Sequence, residues 1–268
     1  MTNPAIQNDP VITLPVLNIS GLVISNDATN PDEIINISAG TCRDSNNVMD
    51  MALGAANPNL QGNTVAAPLS VDITLEGAGG LDAGSVAASS VYAVYMVADS
   101  RGYESVSAVF SLASNSAPTM PFGYDSYRLI GYAVTDSSSD LLLAFWSGNG
   151  SDRLFSYDSA QVVLGGGNAT SATGVSLITV VPPVNNTPIW LYSDFTANAA
   201  NDVLNFKGYN QTGNIINIRA AVAGATAHLH TQSYLLAQLN SSAPSIKYLV
   251  SSASDAVTAY VTGFEFSV

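Results

Sequence analysis

Two histidines stand nearest to a recognisable chemistry in this chain, in the stretch Ala227-His228-Leu229-His230-Thr231. On a strand, both rings fall on one side, and three chains meeting on an axis could offer six ring nitrogens to an octahedral metal. The pattern is only three residues long, and the alternative is a pair of neutral histidines, exposed or hydrogen-bonded in a loop. No metal site is assigned to it.

Other chemistry is sparse. Four glutamates occur, Glu33, Glu76, Glu104 and Glu265, each in a turn or on the polar side of a strand pattern. The sixteen aspartates include no pair that spacing marks as a glycosidase acid and base. The chain has no G-x-S-x-G elbow, no H-E-x-x-H and no G-x-x-x-x-G-K-[ST]. "GGGNAT" is not a phosphate loop, since neither helix nor lysine follows it. Catalytic residues: none are expected, and no cofactor. The loops "SNDATNPDE" and "TDSSSD" hold acids and amides that suit calcium, but they lack the D-x-[DN]-x-[DN]-G series and read as Asx-capped turns. Trp146, Trp190 and the twelve tyrosines could stack on sugars, though such rings more often serve a core or an interface. Cys42, the single cysteine, has no partner for a disulfide and reads as a small buried apolar residue.

The elements that must position these residues are strands. "VDITLEG" sets Val71, Ile73 and Leu75 opposite Asp72, Thr74 and Glu76, and "SVSAVFSLAS", "NIINIRAAVAG" and "GFEFSV" repeat that period of two. Turn-forming clusters separate them, and no segment holds a helical period over eleven residues; "SYLLAQL" comes closest. The expectation is an all-β chain of two tandem antiparallel sandwiches, jelly-roll-like, preceded by an extended arm. The boundaries are residues 1–20 for the arm, 21–163 for the first sandwich, 164–173 for a glycine-rich linker at Gly165 to Gly167, and 174–268 for the second.

In "SVYAVYMVA", Val91, Ala93, Tyr95 and Val97 alternate with Tyr92, Val94 and Met96, so neither side is polar. With no helices to cover the second side, a contact with another subunit is expected through Tyr92, Val94 and Met96, or through the opposite set. "DLLLAFW", from Asp140 to Trp146, shows the same doubled apolar character.

Composition narrows the partners. Only 10% of residues are charged, and seven Lys plus Arg stand against twenty Asp plus Glu, for a net charge of −13. Such a chain repels nucleic acid and anionic lipid surfaces. No apolar run is long enough to span a bilayer. The first twenty residues lack a basic segment, are broken by Pro4, Pro10 and Pro15, and do not read as a secretory signal. The Asn-X-Ser/Thr sites at Asn18, Asn36, Asn149, Asn168, Asn185, Asn210 and Asn240 are expected by chance in so Asn-, Ser- and Thr-rich a chain, and none is read as glycosylated.

Three stretches, in order, carry a resemblance. "GLVISNDATNPDEIINISAGTCRDSNN", "GGLDAGSVAASSVYAVYMVADS" and "APTMPFGYDSYRLIGYAVTDSSSDLLLAF" are similar to a β-sandwich module of bacteriophage and prophage virion structural proteins, of the tail-fibre or head-fibre type. The similarity covers Gly21 to Trp146, with "VYAVY" in place of the module's W-Y-H-V, so a role for that histidine does not carry over. The resemblance implies a non-enzymatic protein on the virion surface, assembled in the host bacterial cytoplasm. The leading expectation is a homotrimeric tail fibre or spike, its oligomer drawn from the doubly apolar strand, with a capsid decoration or head-fibre protein as one alternative and, as another, a carbohydrate-binding host adhesin acting through loop aromatics such as Tyr124, Tyr127 and Trp190. Partners would be further copies of the chain, a tail adaptor or major capsid protein, and a host surface glycan. Attachment is expected through the arm at Val11, Ile12, Leu14, Val16 and Leu17.

Overall fold

Alternating β-branched and aromatic residues between Gly-, Asn-, Asp- and Ser-rich turns produce a chain built of strands. The computed structural model describes residues 17–54, 64–65, 67–101, 104–213, 216–221 and 228–268, and those residues contain no α-helix. The first half supplies β1 (Ile19–Gly21), β2 (Ile24–Asn26), β3 (Ile34–Ile37), β4 (Gly40–Arg43), β5 (Asp50–Leu53), β6 (Thr64–Val65), β7 (Leu69–Asp72), β8 (Val91–Ala98), β9 (Ser107–Leu112), β10 (Ser126–Val134) and β11 (Ala144–Ser147). The second half supplies β12 (Asp152–Gly167), β13 (Thr173–Ser176), β14 (Thr187–Thr196), β15 (Val203–Gly208), β16 (Ile216–Arg219), β17 (His228–Asn240), β18 (Ala243–Val250) and β19 (Ala256–Ser267).

Hydrogen bonding joins these into three sheets. β1-β4-β5-β6 is one, β10-β8-β9 a second, and the third runs in the order β16-β15-β18-β17-β14-β19-β12-β11-β2-β3-β7, with β13 paired to β18. Pairing is antiparallel except between β5 and β6. The architecture is all-β and sandwich-like, as the strand patterning implies.

β8 answers the question of what covers a doubly apolar strand. All eight of its residues are buried. Tyr92, Val94, Met96 and Ala98 join a core with Leu22, Ile24, Ile35, Ile37, Cys42 and Met51 from β1 to β5 and the turns between them. Val91, Ala93, Tyr95 and Val97 join the other core with Phe155, Tyr157, Phe264 and Phe266 from β12 and β19. Tyr132 of β10 stands edge-on to Phe264 and Phe266, with ring centroids 6.1 and 5.1 Å apart. The central three-stranded sheet is therefore covered on both faces by the chain itself. Each of the Val, Leu, Ile, Met and Phe side chains here contributes about 1.5–3 kcal/mol through burial, which a subunit contact is not needed to supply.

That arrangement corrects the expected oligomer contact. Tyr92, Val94 and Met96 are at most 1% exposed within a single chain, and the Tyr92 hydroxyl accepts a hydrogen bond from the Ala87 N–H at 2.7 Å. A second subunit cannot reach them without unfolding the first. "DLLLAFW" is likewise resolved: Leu141 and Ala144 are buried, while Leu143 and Phe145 point outward, 49% and 64% exposed.

The expected linker is also revised. Gly165, Gly166 and Gly167 lie within β12, and Gly167 pairs with Val257 of β19. At its other end β12 pairs Asp152 to Ser156 with Gly263 to Ser267, so the last strand of the chain adds to the strand that precedes the supposed boundary. β7 stops short of the sequence pattern, because the Asp72 carboxylate takes the Thr74 N–H and hydroxyl, and Leu75 turns outward at 58% exposed. "SYLLAQL" is part of β17.

Arg153, 5% exposed, fastens the two halves. Its guanidinium donates to the carbonyls of Gly150, Leu22, Ile130 and Gly21 at 3.0, 2.7, 3.0 and 2.7 Å. Burial lowers its pKa, because the apolar surroundings disfavour the charge.

Candidate functional site

β14, "TPIWLYSDFT", shows how strand alternation builds a surface. Ile189, Leu191, Ser193 and Phe195 face the core, so Pro188, Trp190, Tyr192 and Asp194 face outward. The register with β17 and β19 sets Tyr234 beside Trp190 and Tyr260 beside Tyr192. The ring centroids are 5.5 Å apart in both pairs. Gly263 lies opposite Trp190 on the β19 side, where a Cβ would come within 2.4 Å of the Phe155 carbonyl oxygen. Four rings thus share the outer face of one sheet, with Tyr234 the most open at 48% exposed.

Carboxylates border the rings. The Tyr234 hydroxyl meets Glu265 at 3.4 Å, and the phenol pKa is raised by desolvation first and by the Glu265 charge second. Desolvation and then the charge of Asp194 raise Tyr192 in the same way. Both phenols remain neutral donors through the physiological range.

Pro188 and Glu265 also belong to the wall of a groove of about 510 Å³ where β12 begins, β14 begins and β19 ends. Its lining adds Asp152, Asn185, Asn186, Thr187, Tyr132 and Phe266. The loop carrying the two amides is tied down: Asn185 accepts the Leu239 N–H at 3.2 Å, and Asn186 accepts from the Gln238 amide at 3.3 Å. Asp152 accepts the Ser267 hydroxyl at 2.9 Å. Arg153 lines the groove too, with its guanidinium committed to backbone carbonyls. The arrangement offers flat apolar rings, hydroxyls, amides and carboxylates on a fixed frame, which suits binding.

Of the residues expected to act, Val11, Ile12, Leu14 and Val16 lie outside the described residues. Leu17 is 51% exposed; its N–H donates to Asn47 at 2.8 Å, and its carbonyl accepts from Arg128 at 3.3 Å. His228 and His230 open β17, and their side chains lie outside the description. Among the described residues, no group of three His, Cys, Asp or Glu is placed to hold a metal. Cys42 is fully buried and desolvation pushes its thiol up to about 12, which makes it inert.

The ring assignments from sequence divide. Trp146 packs edge-on against Phe155 at 5.3 Å and donates its indole N–H to the Tyr132 carbonyl at 2.8 Å, which makes it structural. Tyr124 is held by the Ser105 carbonyl at 2.9 Å, and Tyr127 packs against Tyr95 at 5.7 Å. Trp190 alone of these four stands on the outer face described above. Tyr192, Tyr234 and Tyr260 were not singled out from sequence, although "PIWLYSDF" carries the signal: bulky rings at the positions where an alternating strand ordinarily places polar residues.

Asn26, Asp27, Gly80 and Asp82, from the stretches that carry the resemblance, hold backbone in place. Asn26 binds the Pro31 carbonyl at 2.8 Å and the Ala144 N–H at 3.0 Å, joining its turn to β11. Asp27 accepts the N–H groups of Thr29 and Asn30 and the Asn36 amide, and these bonds, the Asn30 one foremost, lower its pKa. At Gly80 a Cβ would sit 2.3 Å from the Leu75 carbonyl oxygen, and the Asp82 that follows takes the Thr119 N–H at 2.7 Å, linking "GGLD" to "APT". None of these four lines the groove, to which the third stretch contributes Tyr132.

No protein-family model matches the chain, and no curated protein sequence does. Among solved structures, it is similar to a carbohydrate-binding module, CBM6cm-2 from Cellvibrio mixtus lichenase 5A in complex with cellotriose, at 10% identity over 45% of this chain and 86% of that one, with a TM-score of 0.23. It is similar to the insecticidal crystal protein Cry7Ca1 of Bacillus thuringiensis at 10% identity over 94% of this chain and 51% of that one, with a TM-score of 0.18. A chain of infectious bursal disease virus, Gx strain, gives 12% identity over 94% and 73%, with a TM-score of 0.20. Likenesses at these TM-scores carry no argument about function.

Proposed function

We propose that the chain is a non-enzymatic structural protein of the bacteriophage particle surface. The observation that carries this reading is the employment of its signature residues. Asn26, Asp27, Gly80, Asp82 and Arg128 each fasten a turn, a loop or the start of the described chain, and none converges on the groove. A motif that specifies a scaffold suits a building block better than an enzyme.

Between the two placements on the particle, capsid decoration now stands ahead of a trimeric fibre. The argument for a trimer was a strand with two apolar faces, and the chain covers both. A decoration protein needs one docking segment and a stable exposed body. The segment assigned to docking is the arm of residues 1–20, whose Leu17 is fixed to the first half through Asn47 and Arg128.

Co-sedimentation of the purified chain with isolated capsids and with isolated tails tests the reading. Binding to capsids, lost on deletion of residues 1–16 with an unchanged melting temperature, is the expected result. Binding to tails alone would return the fibre placement, and binding to neither would overturn the structural role.

A further inference from the structure

We infer that the outer face of β14, β17 and β19, with the groove at its end, is a binding site for a neutral glycan chain. The inference is independent of the particle assignment, because it rests on a different part of the molecule.

Three observations converge. Trp190 with Tyr234 and Tyr192 with Tyr260 form two ring pairs on one outer sheet face, Tyr234 exposed and the other three half-buried. Aromatic faces stack on the C–H faces of sugar rings, where aliphatic side chains would serve a protein contact equally well. The face then runs into the groove of about 510 Å³ through Pro188 and Glu265, which belong to both. There Asp152, Glu265, Asn185 and Asn186 supply the acceptors and donors that orient hydroxyl groups.

Charge selects among polymers. The acids at the site are Asp152, Asp194 and Glu265, and Arg153 spends its N–H groups on four carbonyls. With a net charge of −13, sulfated or uronic polymers and nucleic acids are repelled, and an uncharged polyhydroxyl chain is the chemistry that fits. Tyr192 and Tyr234, held neutral by desolvation and by the neighbouring acids, give their single O–H to Asp194 and Glu265, and their oxygens are left to accept from sugar hydroxyls.

Affinity electrophoresis of the full chain tests the inference, in gels containing α-glucan, β-glucan, mannan, galactan or soluble chitin oligomers, with dextran sulfate as the charged counterpart. Retardation by at least one neutral polymer is expected, weakened about tenfold or more in Tyr234→Ala and in Trp190→Ala and unchanged in Tyr124→Ala. Should Trp190→Ala fail to fold, Tyr234→Ala and Glu265→Gln, both altered at the surface, decide the matter. No retardation by any neutral polymer overturns the inference. So does retardation by dextran sulfate alone, or binding indifferent to both surface variants. Light scattering guards against one further reading: an oligomer that Tyr234→Ala dissociates would give this face to a second copy of the chain and sink the glycan site.

Discussion

Replacing Arg153 by Met removes the guanidinium while keeping most of the stem. Four carbonyls lose their donor, and two of them, on Leu22 and Ile130, lie in the interior where water does not replace it. Each buried carbonyl left unpaired costs about 1–3 kcal/mol, so the two set a loss of about 2–6 kcal/mol. The more exposed carbonyls of Gly150 and Gly21 recover water, and relief from burying the charge offsets part of the loss. A net destabilisation of about 3 kcal/mol follows. With an unfolding entropy of about 2.1 cal/mol/K per residue, a chain of this length loses about 5 °C in Tm. Calorimetry and urea unfolding read the change directly, and Arg153→Lys should recover only part of it, since one ammonium cannot span four carbonyls. A Met variant melting within about 1 °C of the parent would refute the idea that this side chain fastens the two halves.

Tyr92→Asp, which an interface reading expects to dissociate an oligomer, should instead unfold the monomer, costing about 4 kcal/mol or more because the carboxylate would sit in a core where Tyr92 is 1% exposed. Circular dichroism and light scattering separate the outcomes, and a folded, soluble monomer would contradict the burial argument. Cys42 should resist thiol reagents at pH 8 and react only as urea unfolds the chain, since burial raises its pKa to about 12. Rapid labelling of the native protein would place the thiol elsewhere. Asp27, Asp125 and Asp202 have lowered pKa values, caused foremost by the Asn30 N–H, the Ser100 hydroxyl and the Ala199 N–H respectively. The unfolded chain, with aspartates near about 3.9, binds protons before the folded one, so the stability these groups contribute is present above about pH 4 and lost as pH falls through the folded values. Urea midpoints measured downward from pH 6 should drop below about pH 4, and the drop should shrink in Asp27→Asn.

Strand identity was legible from residue types because the period of two is local. "SVYAVYMVA", "SVSAVF" and "GFEFSV" each announce a strand wherever they fold, and β8, β9 and β19 occupy those stretches. The same local pattern says that both sides of β8 must be covered, and this is where it stops. Which atoms cover them depends on contacts between residues far apart in the chain: one side is closed by residues from Leu22 to Met51, and the other by Phe264 and Phe266, more than a hundred positions from Val91, Ala93 and Tyr95. Helix-free composition made a second subunit the available cover, and tertiary packing supplied the chain itself in its place. Gly165 to Gly167 show the same limit: three glycines are flexible by themselves, and only the pairing of Leu164 and Gly167 with β19, across an irregularity at Gly165 and Gly166, keeps them within the strand. The aromatic face divides in the same manner. That Trp190 and Tyr192 point together is written in "PIWLY", whereas Tyr234 and Tyr260 join them through the register of β14 with β17 and β19. Side-chain alternation is decided within a few residues, but a surface is decided by pairing, and pairing belongs to the whole chain.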